Sequence, residues 1–373
     1  MRLAVLYDFL ETPGGGERLA LLLARHFDAD LITTQFDAEA PARAGYPGIR
    51  VVSLGAVLRS PPLKQIHASW KFRRCRLEGY DAYVILGNWA LYAARHHHPN
   101  AYLCLTPTRS FFDQRETMLS RLPLGARGLA RTWTSVHGRI ERKAIRDIDR
   151  LAGISETVRA RIRRHYGRDA QVIYPPVTTS RYRFAEVGPA WLSVSRLYPE
   201  KRIDLLFDIF RRLPSERLVL VGGYSRGDRA RRYLEGLKPP SNVTILGPVP
   251  EDKLIDLYAR CRGLLAAARD EDFGLTPLEA MASGKCVLAT NEGGYRETIV
   301  DGKTGFLLPP DADAFAARIR GLGDDDLRAR KDDCLARARA FDEPVFFKKI
   351  QGLIEAPRSP PRVLHEAADT VKG

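Results

Sequence analysis

Apolar residues in this chain gather into short runs, each closed by a polar or glycine-rich turn and followed by a stretch with helical period. That alternation is the pattern of parallel sheets with crossover helices. In the first half, strands are expected over residues 3–7, 31–34, 50–53, 82–86, 101–105, 150–154 and 171–174. Two helices between them are well marked. One spans 17–27, with Leu19, Leu22, Leu23 and His26 on one face. The other runs from Glu156 to Tyr166, opened by Ser155 as N-cap and stopped by Gly167.

Tyr174-Pro175-Pro176 interrupts the pattern, and the stretch up to Pro189 is polar without a period. The alternation then restarts, with strands expected over 190–195, 217–221, 242–246, 263–267, 286–289 and 305–308. Helices are expected to begin near Arg202, Asp228, Glu251, Pro277, Asp311 and Asp324. This divides the chain into an α/β domain over 1–175, a linker over 176–189, a second α/β domain over 190–342, a helix over 343–356 and a flexible tail over 357–373. Two such halves, each with glycine-rich turns, imply a ligand cleft between them.

A length of 373 residues suits two cores. The net charge of +14 and pI near 9.7 favour anionic partners without choosing among nucleotide, nucleic acid and acidic membrane. Five scattered cysteines, never in Cys-x-x-Cys spacing, argue against a disulfide framework or a zinc site and fit a reducing cytoplasm. The first apolar run is too short for a signal sequence, and no run is long enough to span a bilayer.

Chemistry concentrates in Asp270-Glu271-Asp272-Phe273-Gly274-Leu275-Thr276-Pro277-Leu278-Glu279. A strand, a loop and a helix start follow one another there. Free N–H groups at a helix start suit a phosphate, and a glycine lets the backbone approach it closely. Thr276 is a candidate N-cap with Pro277 at the first helical position. Glu279 has two readings: it flanks a ligand, or it closes a capping box with Thr276. Glu271 is a ligand group or a solvated loop acid. The turn Thr12-Pro13-Gly14-Gly15-Gly16-Glu17, directly after the first strand, is a second anion-compatible helix start, or a structural turn alone.

These residues resemble the retaining glycosyltransferases of family 4. Glu271 and Glu279, with seven residues between them and Phe273-Gly274-Leu275 inside, match that family's E-x7-E element, and Ala280-Met281-Ala282-Ser283-Gly284 continues the match. Val194 to Asp204 resembles its strand-end Arg with a following Lys, here Arg196 and Lys201. Gly14-Gly15-Gly16-Glu17 resembles its Gly-Gly-x-Glu loop, and Asn291-Glu292-Gly293-Gly294 resembles another of its stretches. The resemblance implies a GT-B fold, two Rossmann-like domains facing each other across a deep cleft. It implies that Glu271 holds the transferred sugar, Glu279 the donor ribose, and Gly15, Gly16, Phe273, Gly274 and Leu275 line the donor. Arg196 and Lys201 would stabilise the charge that a diphosphate gains on leaving. On the acceptor side it points to Arg109 and Asp113. Leu105 stands where many members have a His, which in those relatives contacts the donor sugar.

With two cations available for the diphosphate, no metal or other cofactor is expected. The implied reaction moves a mannose-like or glucose-like hexose from a GDP- or UDP-sugar to a saccharide or lipid-linked acceptor. Residues 58–76 and 118–146 interleave cations with Trp70 and Trp133, so a peripheral position on the inner face of the cell membrane is expected beside the plain reading of a solvated basic face. Two further readings stand against the enzyme. One is a degenerate nucleotide-sugar binder without turnover, motivated by Leu105. The other is a nucleic-acid-binding protein, motivated by charge alone and lacking any recognition motif.

Overall fold

The computed structural model describes residues 1–11, 14–120, 122–223 and 230–356, so Thr12, Pro13, the helix start expected at Asp228 and the tail 357–373 lie outside it. The chain forms two units, Met1–Ile173 with the residues from Lys348 on, and Tyr174–Phe347.

The first unit is built on seven parallel strands: β1 (Leu3–Leu6), β3 (Asp30–Thr33), β5 (Val51–Ser53), β6 (Ala82–Ile85), β7 (Asn100–Cys104), β8 (Arg150–Gly153) and β9 (Gln171–Val172). Their order is β5-β3-β1-β6-β7-β8-β9. The short strands β2 (Phe9–Leu10) and β4 (Gln35–Phe36), which the apolar pattern did not predict, pair separately beyond β1 and β3. β1, β3, β6 and β7 are buried along their whole length, which explains why they read as unbroken apolar runs. The helix Glu156–Tyr166 has the expected bounds: Ser155 Oγ accepts the Val158 N–H at 3.0 Å, and Gly167 ends it at φ +64°.

The second unit has β10 (Ala190–Val194), β11 (Arg217–Val221), β12 (Val243–Gly247), β13 (Leu264–Ala266), β14 (Val287–Thr290) and β15 (Gly305–Leu308), ordered β12-β11-β10-β13-β14-β15 and parallel throughout. Trp191, Phe207, Phe210, Leu288 and Phe315 fill its core. In both sheets the winding reverses beside the first strand, between β1 and β6 and between β10 and β13. Crevices at the carboxyl ends of such strand pairs are where doubly wound sheets bind ligands.

Residues 176–189, read from sequence as linker, fall within the second unit. The Val177 N–H donates to the Phe341 carbonyl at 2.9 Å, and Thr179 Oγ1 donates to Asp342 at 2.6 Å. The polar character of this stretch serves those partners. The helix Glu343–Glu355 buries Phe346, Ile350, Leu353 and Ile354, and from Lys348 on it counts with the first unit.

The histidines 96–98 are not all solvated. His97 is buried, accepting the Leu77 N–H at 3.0 Å and lying 2.6 Å from the Ala93 carbonyl, so it is a core residue; His98 lies 2.9 Å from Asp149. The acids 324–326 open the helix Asp324–Ala329, where Asp326 accepts the Gly323 N–H at 3.0 Å. The two basic segments form the helices Leu63–Arg74, Arg115–Ser120 and Leu124–Ala144, with Trp70, Leu124, Leu129 and Val136 exposed.

Candidate active site

The loops after β10, β13 and β14 meet at the crevice of the second unit. Lys201 Nζ lies 2.6 Å from Glu271 Oε2, and each side chain is about four-fifths covered, at 19% and 20% exposure. Between Val194 and Lys201 the chain passes Ser195, whose Oγ is buried without a hydrogen-bond partner among the described residues. Arg196 is exposed and stacks its guanidinium 5.4 Å from the centre of the Tyr198 ring. Lys201 and Glu271 are therefore brought together, whereas Arg196 turns to Tyr198.

The helix Leu275–Ala282 is capped by Gly274 rather than by Thr276. Gly274 sits at φ +100°, and a Cβ there would stand 2.8 Å from the Tyr295 ring. The chain therefore turns into the helix one residue after Phe273, which puts Thr276 inside the first turn, where its side chain cannot cap. No side chain caps this end, so its leading N–H groups remain available to a ligand. The capping-box reading of Glu279 also falls, since its Oε2 accepts a hydrogen bond from the hydroxyl of buried Tyr258 at 2.7 Å. Phe273 is buried, stacking on Tyr174 at 5.4 Å, so only its backbone can face a ligand.

Gly293 and Gly294 hold the acidic loop from beneath. The Gly294 N–H donates to the Glu271 carbonyl at 2.8 Å. A Cβ on Gly294 would lie 2.3 Å from Phe273 Cα, and one on Gly293 would lie 2.3 Å from the Glu271 carbonyl oxygen. Only glycine permits so close an approach of two backbones. Beside them, Arg202 donates to both Glu292 oxygens, at 2.8 and 3.1 Å, and Glu292 accepts the Asp270 N–H at 3.2 Å. Arg202, Glu292 and Tyr258 were not singled out from sequence. The positive φ of Arg202, 51°, leaves no mark in the residue type.

In the first unit, Gly14 caps the helix Gly15–His26, and its N–H donates to Glu17 at 3.1 Å. Gly15 and Gly16 form the first turn. A Cβ on Gly16 would meet Tyr7 Oη at 2.5 Å and Leu105 Cδ1 at 2.9 Å, so Leu105 packs directly against this helix start. Asp8, at the end of β1, accepts the N–H groups of Asn88, Trp89 and Ala90 at 3.0, 2.9 and 2.7 Å and so ties β1 to the turn after β6. Burial pushes its carboxyl up to about 7 against the pull of those donors.

Arg109 and Asp113 come together, Nε to Oδ2 at 3.1 Å. Arg161 adds a second cation 3.7 Å from Asp113 and donates to Thr106 at 3.1 Å. Glu141, fully buried, accepts the Thr108 N–H at 3.2 Å and the Tyr166 hydroxyl at 2.5 Å, anchoring the 106–113 segment; burial raises its carboxyl above the usual carboxylate range. Among the described residues no group of three or more His, Cys, Asp or Glu side chains is placed to hold a metal ion.

A doubly wound sheet with an uncapped helix start, a Lys–Glu pair and a glycine-propped acidic loop at its switch point describes a nucleotide-type ligand domain. Residues 180–340, all within the second unit, match the family model of glycosyl transferases group 1. The chain is 31% identical to the alpha-1,3/1,6-mannosyltransferase ALG2 of Dictyostelium discoideum over 44% of each chain. It is 30% identical to a D-inositol 3-phosphate glycosyltransferase of Nocardia farcinica, over 58% of this chain and 54% of that one. The chain thus spans about half the length of these two curated relatives. A GDP-mannose-dependent alpha-(1-6)-phosphatidylinositol monomannoside mannosyltransferase of Mycolicibacterium smegmatis is 26% identical, over 84% of this chain and 93% of that one. Among solved structures, sucrose-phosphate synthase of Thermosynechococcus elongatus superposes with TM-score 0.75 at 19% identity, covering 94% of this chain and 98% of that one. HepE of Anabaena, solved with UDP-glucose, superposes with TM-score 0.73 at 20% identity, covering 95% of this chain and 99% of that one.

Proposed function

We propose that this protein transfers a hexose, mannose foremost, from a GDP- or UDP-linked donor to a saccharide or lipid-linked saccharide with retention at the sugar carbon. The observation that carries the reading is the 2.6 Å pair of Lys201 and Glu271 beside an uncapped helix start. A departing diphosphate gains negative charge as the glycosidic bond breaks, and a fixed lysine with backbone N–H donors stabilises that charge most in the transition state. Arg196 lies on the same loop and adds a second cation. Glu271 holds sugar hydroxyls, and Glu279, oriented by Tyr258, holds ribose hydroxyls. Gly15 and Gly16 let the first helix start come close to the donor, and Arg109 with Asp113 meets the acceptor. The leaving phosphate accepts the acceptor's proton, so neither a metal nor a protein base is required. The donor named for the mycobacterial relative supports GDP-mannose as the first candidate.

A thermal-shift panel of GDP-, UDP- and ADP-sugars tests this, because a ligand that binds the native state raises its unfolding temperature. One donor should raise it, and Lys201→Ala should remove the shift. If no nucleotide sugar shifts the transition, the proposal fails. Leu105 supports a second reading, donor binding without turnover. Slow donor hydrolysis without acceptor counts against that alternative. The exposed Trp70, Leu124 and Leu129 amid cations support residence at an anionic membrane surface.

A further inference from the structure

A second concavity lies in the first unit, away from the carboxyl ends of its strands. It has a volume of about 190 Å³ and is lined by Arg73, Tyr92, Arg95, Ile140, Lys143 and Asp147 among others. Arg73 lies in the last turn of the helix Leu63–Arg74 before β6, Arg95 in the last turn of the 3-10 helix Ala90–His96 before β7, and Lys143 and Asp147 precede β8. The pocket therefore sits where three adjacent parallel strands begin, at the edge of the sheet opposite to Asp8 and the glycine turn.

Three cations from three separate elements converge here against one carboxylate. None of Arg73, Arg95 and Lys143 has a hydrogen bond or ion pair among the described residues. Elsewhere in the same unit the chain pairs its arginines: Arg2 and Arg50 with Asp30, Arg159 and Arg163 with Asp169. The three side chains are exposed, so water and salt screen their mutual repulsion in part, and an anion held between them lowers it further. Tyr92 forms part of the wall, and its hydroxyl is buried with no hydrogen-bond partner among the described residues. The His96 imidazole beside the pocket is held below its usual range by desolvation and by Arg76, Arg95 and Arg73, an independent sign of the local positive field.

We infer that this pocket binds a phosphate-bearing ligand, with Arg73, Arg95 and Lys143 around the phosphate oxygens and Ile140 and Tyr92 against the body that carries it. Three cations less one carboxylate leave an excess of two positive charges, matched to a phosphomonoester dianion. The volume admits one such group with a small substituent and is too small for a nucleic-acid strand, which needs an extended groove. The source of the phosphate is either a soluble phosphomonoester or a lipid headgroup. For the second, Val136 and Leu129 continue the Ile140 face of the same helix and are exposed at 43% and 79%.

Two binding arms separate the sources. Calorimetry with sn-glycerol 3-phosphate reads the soluble arm, and co-sedimentation with phosphatidic acid vesicles, against phosphatidylcholine vesicles, reads the lipid arm. Saturable binding in at least one arm is expected, weakened at least tenfold in the triple variant Arg73→Gln/Arg95→Gln/Lys143→Gln. The charge-matched control Arg217→Gln/Lys253→Gln/Lys348→Gln should bind like wild type. The single reversal Lys143→Glu should show the same loss should the triple variant unfold. Nucleotide-sugar thermal shifts should be unchanged in all of them, which keeps this inference separate from the transferase proposal. Absence of saturable binding in both arms, or equal weakening in the control, overturns it.

Discussion

Lys201 Nζ and Glu271 Oε2 stand 2.6 Å apart, though 70 residues separate them in the chain. Each neutralises the other in a largely covered crevice. In the proposed reaction a diphosphate competes for the lysine and a sugar for the glutamate, so the pair divides when the donor enters. Lys201→Ala and Glu271→Ala should each lower kcat/KM by roughly 10²–10³, as removal of a single transition-state contact does in other enzymes. The double variant should lose roughly the product of the two single losses, because the divided pair holds different parts of the donor. Steady-state rates on the four proteins check this, and a double variant no worse than either single one would refute separate contacts.

Arg202 and Glu292 form the scaffold behind that pair. Arg202 spends a positive φ to reach both oxygens of Glu292, which in turn holds the Asp270 N–H. Glu292→Gln should cost about 1.5–3 kcal/mol, the range for charge-assisted hydrogen bonds. Urea unfolding measures it; donor KM should rise with it, since the acidic loop loses its tether. A stability loss with unchanged KM would show that the loop is held by other means.

Gly294→Ala offers a test without any change of charge. The added Cβ would stand 2.3 Å from Phe273 Cα, against backbone that cannot swing aside. A penalty of about 1–3 kcal/mol follows from overpacking of this kind. The displaced loop should also weaken donor binding, read as a smaller thermal shift. By contrast Gly302→Ala, where nothing stands within 4 Å but φ is +75°, should cost stability alone.

The Asp8 carboxyl, raised from 3.8 to about 7 in the folded chain, binds its proton more tightly there than in the unfolded one. Folded molecules then hold more protons between those two values, so stability falls as pH rises from about 4 to 7 and is level above. Asp8→Asn removes this slope. Urea midpoints measured from pH 4 to 8 should decline in the wild type and less so in the variant. Parallel curves would place the Asp8 titration elsewhere.

Legibility from sequence followed the range of the interactions. The helix 156–166 was read to the residue because Ser155 and Gly167 act within one turn. Strand ends were missed by a residue or two, since an apolar run does not reveal which residue makes the last ladder bond. The spacing of Glu271 and Glu279 was visible because loop and first helical turn are local. What Glu279 touches was not, because Tyr258 arrives from another helix. The polar stretch 176–189 read as a linker only because its partners, Asp342 among them, lie more than 160 residues further on. Asp8 directly follows the strand expected over 3–7, but its three N–H donors come from about 80 residues away, beyond the reach of a local pattern.

The last helix, Glu343–Glu355, begins in one unit and ends in the other. During synthesis residues 1–173 must wait for residues 348–356 before their unit is whole, while Tyr174–Phe347 emerges as one contiguous segment. A cut after Phe347 would therefore injure residues 1–173 more than residues 174–347.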